Sequence, residues 1–325
     1  MKILNLLYNL LSLLLKLSFI LFIAFIIYIY IPIKTTQTVT LPKGSISKTI
    51  HHLNKQGYNL NKIDAYIIDY LLNQPKSGTL IIGEGSMSRI DFLKKLSSAK
   101  EAIDIITLIP GETRPIFLAN IAKKQNLNLE ILEKEYSKFS AYEEAGIIPD
   151  TYYISKNSSE ETIMKELVKQ SEKRYKKIAL EVLKKYDKKE WLRILTIASI
   201  IQKESANNQE MPIIASVIYN RLKKNMALQM DGTLNYGKYS HVKVTPKRIK
   251  TDKSKFNTYA NKGLPPYPVC SVSIPAIKAS LNPKKTDYLY FMRNKNGVHD
   301  FTDSYKEHLK NIKRAKAFPL EGKTN

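Results

Sequence analysis

A single cysteine, Cys270, in 325 residues excludes an intrachain disulfide, a cysteine-based zinc site and an iron–sulfur cluster. It does not fix the compartment, since many exported proteins use no disulfides. Glycine (12) and proline (14) are sparse and 43% of residues are hydrophobic, which excludes a chain dominated by disorder. No Gly-rich phosphate loop, internal repeat or low-complexity linker is present. Helix-turn-helix, zinc-finger and RNA-binding signatures are also missing. Arginine is scarce, at eight of 52 cations. Nucleic-acid readers usually show Arg forks with interleaved aromatics, so no nucleic-acid partner is expected.

Positive charge is what the chain has in excess: 52 Lys+Arg against 29 Asp+Glu, a formal net charge of +23. Residues 1–150 carry +4 of it and residues 151–325 the remaining +19. An anionic wall polymer or membrane surface is one reading of that surplus. A lysine-rich coding bias, in a chain also rich in Ile, Asn and Tyr, is the other. Runs such as Lys173-Arg174-Tyr175-Lys176-Lys177 fall in a helical pattern and read as a solvated face.

The amino terminus is apolar. No charged residue occurs from Leu17 to Ile33, and the stretch from Ile3 is apolar apart from Lys16. A bilayer-spanning helix needs about 20 such residues, and Lys16 can snorkel. Tyr28 and Tyr30 suit the interfacial aromatic belt and Pro32 the exit. A cleaved signal peptide would have a shorter apolar region and a small-x-small site, and no such site follows Ile33. An uncleaved anchor over 1–35 is therefore expected. Lys2 and Lys16 on one flank against Lys34 and Lys43 on the other leave orientation open on charge alone.

After the anchor, residues 36–110 read as a small α+β module. Strands are expected at 38–41, 79–82 and 103–109, with a helix near 47–56 and another capped by Ser86 or Ser88. Residues 111–149 form a more acidic helical connecting segment. The last domain, 150–325, is α+β, and Ser159 caps a long helix beginning near Glu160.

The stretch from Trp191 to Glu204 carries the most chemistry. It reads as a largely buried helix in which Glu204 follows Ile197, Ile200 and Ile201 by seven, four and three residues. Those positions share one helical face, so a carboxyl projects from an isoleucine stripe. Such surroundings disfavour the charged form and make a carboxyl a general acid near neutral pH. The competing reading is a helix-end Glu204 turned to solvent and paired with Lys203 or Arg221. Downstream, Leu228–Thr233, Phe256–Tyr259 and Gly263-Leu264-Pro265-Pro266 place amides, hydroxyls and a tyrosine in loops. These suit a sugar polymer, although each alone also serves as a turn cap.

Taken in order, these motifs resemble the endolytic murein transglycosylases of the MltG (YceG-like) family. The resemblance rests on Ile197–Glu204, Val217–Leu222, Leu228-Gln229 with Asp231 and Thr233, Asn257-Thr258-Tyr259 and Gly263–Pro266. Tyr288–Phe291, Gly297–Phe301 and Glu307-His308 extend it, as do Ile109–Thr113 and Pro149–Tyr152 upstream. The departures are Ser271-Val272-Ser273 for a common Asn-Pro-Gly, Met230 and Gly232 for a small hydroxyl residue and Pro, and Leu309 for Asn.

The resemblance implies a LysM-like module at 36–110 and a lytic transglycosylase domain outside the bacterial cytoplasmic membrane, with the amino terminus inside. Glu204 falls on the family's catalytic glutamate. Gln229, Asp231, Asn257 and Tyr259 are the candidates for holding the glycan, and His299 reads slightly better as a packing or loop-fixing residue. The implied partners are peptidoglycan strands and the membrane, with peptidoglycan synthases as further candidates. The implied reaction requires no metal or cofactor. A non-enzymatic wall-binding scaffold and a basic nucleic-acid binder are the competing functions.

Overall fold

A computed structural model describes residues 2–317 of the chain. Met1 of the expected anchor and residues 318–325 of the expected last domain lie outside the described residues. The architecture is mixed α+β. The chain divides into two compact units, residues 1–104 with 153–158, and residues 105–152 with 159–325.

The first unit opens with helix α1 (Lys2–Tyr30), followed by strands β1 (Pro32–Thr35) and β2 (Thr38–Leu41). Helices α2 (Ile46–Lys55) and α3 (Lys62–Leu71), strands β3 (Gly78–Ile81) and β4 (Gly85–Ser88), and helix α4 (Arg89–Ser98) complete most of it. β1 pairs antiparallel with β4, Pro32 opposite Ser88, and β2 with β3, Thr38 opposite Ile81. Val39, Leu41, Leu53, Ile68, Leu80, Phe92 and Leu96 fill its core. Tyr58 stacks on Phe92 with ring centroids 5.0 Å apart.

Within α1, Asn5–Tyr30 is the one span among the described residues long and apolar enough to cross a membrane. At 1.5 Å per residue its 26 residues reach ~39 Å, more than the ~30 Å hydrocarbon layer. Its carboxyl-terminal end is tied to the rest of the unit. Arg89 lies over the Tyr28 ring at 4.5 Å and donates to the Tyr28 hydroxyl at 3.2 Å. The same guanidinium pairs with fully buried Asp64 at 2.7 Å.

The chain passes between the units within β5 (Ile103–Thr107) and β6 (Thr151–Ser155). The second unit contains α5 (Arg114–Gln125) and α6 (Leu129–Phe139), separated at Asn126, whose φ of 54° is left-handed. The long helix α7 (Glu160–Leu183) follows, capped as expected by Ser159, then α8 (Lys188–Glu204) and α9 (Met211–Lys223). The remainder is α10 (Pro246–Thr251), α11 (Ile274–Leu281), β7 (Tyr290–Arg293), β8 (His299–Thr302) and α12 (Tyr305–Ala317). β7 and β8 form an antiparallel hairpin with Phe291 opposite Phe301.

Helix α8 is the axis of this unit. It packs against α9 and α11, and Leu195, Ile197, Ala198, Ile200 and Ile201 are fully buried in one apolar cluster. Residues 111–149 contribute to the same core. Their Tyr142, Ala145 and Ile148 enter the same cluster as Trp191 and α8, so burial draws the segment into the second unit.

The Ser271–Ser273 departure has a local structural account. Ser273 caps α11 by accepting from Ala276 N at 3.3 Å, while Ser271 donates to the Ile109 carbonyl at 3.1 Å. The Ser273 hydroxyl satisfies a backbone N–H at the start of α11.

Removing Arg89 strands a buried carboxylate at Asp64. Arg89→Met is expected to destabilise the first unit by about 3 kcal/mol. The measurement is amide exchange across α3 and α4, which should accelerate throughout both helices.

Candidate active site

Helix α8 ends at Glu204, where Ser205 leaves helical geometry and its N–H and hydroxyl both satisfy the Ile201 carbonyl. The isoleucine stripe expected from the sequence is present, and Ile197, Ile200 and Ile201 are all sealed from solvent. Neither expected ion pair of the competing reading forms. Lys203 Nζ reaches Ser240 Oγ at 3.1 Å. Arg221 donates to three backbone carbonyls, those of Leu289 at 2.6 Å, Ala227 at 3.2 Å and Leu228 at 2.6 Å.

Glu204 Oε1 instead accepts the backbone N–H of Gly232 at 2.7 Å. A Cβ on Gly232 would meet Lys203 Cβ at 2.5 Å and Glu204 Oε1 at 2.8 Å, so the approach requires glycine. Glu204 keeps only a partial opening to solvent, at the floor of a cleft. Burial pushes its carboxyl up to about 7, against the Gly232 hydrogen bond, which lowers it. The Asp231 charge adds a smaller upward push and Arg221 a smaller downward one.

The cleft, of about 460 Å³, gathers residues far apart in the chain. Glu204, Arg221, Gln229, Asp231 and Tyr259 line one part. Phe291, Met292 and Arg293 of β7, His299 of β8, and Tyr305, His308 and Ile312 of α12 line the rest.

Two loops forming its wall are stapled by buried hydroxyls. Thr258 Oγ1 lies 3.0 Å from Thr233 Oγ1 and accepts from Met230 N at 3.2 Å. Gln229 N donates to the Thr258 carbonyl at 3.1 Å. Gln229 sits at φ 50°, a left-handed conformation costing of order 1–3 kcal/mol and tolerated where surrounding contacts hold it. Its side chain is exposed in the cleft. Tyr259 donates its hydroxyl to Asp231 Oδ1 at 2.8 Å. Burial, reinforced by that bond, holds the Tyr259 phenol well above its ordinary value, so it remains a donor at neutral pH.

Four of the five residues singled out from the sequence thus meet in one cleft: Glu204, Gln229, Asp231 and Tyr259. Asn257 does not join them in the cleft lining. It is buried, and its amide donates to the Ile249 and Asp252 carbonyls at 2.8 and 2.7 Å. Its Oδ1 accepts from Tyr259 N at 3.1 Å, so it shapes the loop that presents Tyr259.

His299 does fix a loop, as expected, but it also lines the cleft. Its backbone N–H and Nδ1 both meet the carboxylate of Glu210, at 2.7 and 2.8 Å. Burial alone would raise Glu210, yet the hydrogen bonds from His299 and Ala206 hold it below the usual carboxylate range. Nε2 is the ring nitrogen left over, on a residue that faces the cleft.

A protonatable carboxyl at the floor of a polar, open-sided cleft has the chemistry of a general acid. The chain belongs to the YceG-like family, whose family model matches residues 39–314. It is 39% identical to the endolytic murein transglycosylase of Bacillus subtilis (strain 168) over 169 residues, 51% of this chain and 46% of that one. It is 30% identical to the endolytic murein transglycosylase of Streptococcus pneumoniae (strain D39) over 223 residues, 66% of this chain and 39% of that one. The chain thus spans less than half the length of these curated relatives. The crystal structure of a yceG-like protein from Listeria monocytogenes aligns at TM-score 0.58 and 29% identity, covering 86% of this chain and 99% of that one.

A carboxyl with a raised folded-state value destabilises the fold once the unfolded chain ionises. The penalty is absent below the unfolded value of about 4.5, grows as pH rises, and is complete above about 7. Glu204→Gln is therefore expected to melt at a higher temperature than the parent at pH 8, the gain fading by pH 5. Thermal unfolding at the two pH values checks this. Gly232→Ala is expected to displace Glu204 and to cost at least ten-fold in activity, equivalent to about 1.4 kcal/mol. A kcat comparison with the parent checks that effect.

Proposed function

We infer that this protein is a membrane-anchored endolytic lytic transglycosylase acting on peptidoglycan. It cleaves the bond between N-acetylmuramic acid and N-acetylglucosamine in nascent strands and leaves 1,6-anhydro-N-acetylmuramic acid ends. The observation that carries this reading is the Glu204 carboxyl, pushed up to about 7 by burial and set in an open cleft. Family membership and the names of the relatives support the choice of substrate.

In this mechanism neutral Glu204 donates its proton to the glycosidic oxygen as the bond to the muramyl C1 breaks. The sugar develops oxocarbenium character, which the nearby Asp231 carboxylate favours electrostatically. The Glu204 carboxylate then accepts the proton of the muramyl 6-hydroxyl, whose oxygen closes onto C1. No water is consumed, and Glu204 ends protonated as it began. The Gly232 N–H aims the carboxylate through both transfers. Gln229, Asp231 and Tyr259 hold the glycan, with Tyr259 fixed by its bond to Asp231.

Residues 36–110 are the LysM-like module of this reading and contact the wall polymer. Helix α1 is the uncleaved anchor, with the catalytic unit on the extracytoplasmic side and peptidoglycan synthases as candidate partners. Cleavage of nascent strands from this position ends their elongation.

Purified full chain in detergent, incubated with murein, is expected to release anhydromuramyl products. Glu204→Gln should lower the rate by about 10²–10⁴-fold. Because the acid must be protonated, the rate should fall as pH rises through about 7. Products with reducing muramyl ends would show that water, not the 6-hydroxyl, takes the sugar. Undiminished release by Glu204→Gln would sink the assignment of the acid.

A further inference from the structure

Helix α3 carries an apolar stripe that is left exposed among the described residues. Ile63, Tyr66 and Tyr70 lie on one face at helical spacing, 45%, 60% and 79% exposed, and neighbouring Leu71 is 70% exposed. The two tyrosine rings stack on each other at 6.1 Å. The opposite face, Asp64, Ile67 and Ile68, is buried in the first unit. Four large apolar side chains left open beside a complete core mark an interaction surface.

The structure also indicates what lies next to that surface. Asp64, in the first turn of α3, is joined through Arg89 to Tyr28, two residues before α1 ends. Arg89 NH2 further donates to the Asn59 carbonyl at 3.0 Å, tying the approach to α3 to the same guanidinium. The start of α3 is thus held at the level where α1 leaves the bilayer. Tyrosine is the side chain suited to that depth, with an apolar ring and a hydroxyl that stays wet. The charge that follows α1 agrees, since residues 31–100 carry ten Lys+Arg against four Asp+Glu. Lys34 and Lys62 are exposed beside α1 and α3.

We propose that α3 is a second, interfacial membrane contact, its Ile63-Tyr66-Tyr70 stripe seated in the headgroup region of an anionic bilayer. The proposal rests on the reading of α1 as a membrane anchor. An amphipathic helix with a basic surround binds such a surface through buried apolar area and attraction to anionic lipid. Covalent continuity with α1 removes most of the entropic cost, because the surface is already at high effective concentration. A second attachment restricts the tilt of the first unit against the membrane, where α1 alone would leave it free to swivel.

The test uses nitroxide labels on the full chain in vesicles of phosphatidylethanolamine and phosphatidylglycerol. Cys270 is buried, so single introduced cysteines label selectively. Phe22→Cys reports α1, Tyr70→Cys the stripe, and Lys55→Cys on α2 an exposed site outside it. Collision rates with oxygen, which partitions into lipid, and with a water-soluble nickel chelate give depth. Position 22 should be deep and position 55 aqueous. Position 70 should be shielded from nickel several-fold relative to 55, and the shielding should weaken in vesicles lacking phosphatidylglycerol. Nickel access at position 70 equal to that at 55, with 22 deep, would overturn the proposal while leaving the anchor standing. Nickel access at 22 would overturn the anchor and the proposal together. Shielding of position 70 by added murein fragments but not by lipid would make α3 a glycan surface instead. Murein cleavage by the labelled chains, unchanged from the parent, confirms that each is folded.

Discussion

The bond from the Gly232 N–H to Glu204 Oε1, 2.7 Å long, is the contact on which the second unit turns. It exists only because residue 232 lacks a Cβ, which lets the 228–233 loop close over the end of α8. That closure strips water from Glu204 and raises its carboxyl, and the same N–H limits how far it rises. Everything else in the cleft is arranged to keep this loop in place. The Thr233–Thr258 pair locks it to the neighbouring loop, Asn257 shapes that neighbour, and Arg221 grips the carbonyls of Ala227 and Leu228.

The arrangement trades stability for chemistry. A carboxyl whose ionisation is suppressed, an asparagine-like backbone conformation at Gln229, and polar groups opening on a cleft each weaken the fold locally. The opposing weight comes from α8, whose Leu195–Ile201 stretch is sealed on every side by α9, α11 and the 142–148 segment. Rigidity and reactivity therefore meet on one helix, with the buried turns fixing the position of its last residue.

Much of this was legible in the amino-acid order. The spacing of Ile197, Ile200, Ile201 and Glu204 placed a carboxyl on an apolar stripe, and serine at 88 and 159 marked helix starts that the structure has. Strand β2 falls at the expected 38–41. β1 and β4 were not foreseen, because the first opens on a proline at the end of a long apolar run and the second has no run of apolar side chains. Helix α3 escaped notice for a related reason: its outward face is as apolar as its inward one, which blurs the amphipathic period.

At the site, the limits were of another kind. Asn257 and Gln229 are both amides in loops, and sequence has no means of telling that one points into the protein and the other into the cleft. Arg221 was legible as a cation near Glu204, but its commitment to three carbonyls depends on where β7 and the 227–228 loop fall in space. His299 pairs with Glu210 across 89 positions, beyond the reach of any local period.

Trp191, the only tryptophan, is 1% exposed near the start of α8, its ring 5.7 Å from Tyr175 and 6.0 Å from Tyr186. Because the first unit has no tryptophan, indole emission is a private optical channel into the second unit. Excitation at the red edge of the absorption band follows the melting of that unit alone, while tyrosine and backbone signals average over both. The chain carries its own spectroscopic partition, without a label or a mutation.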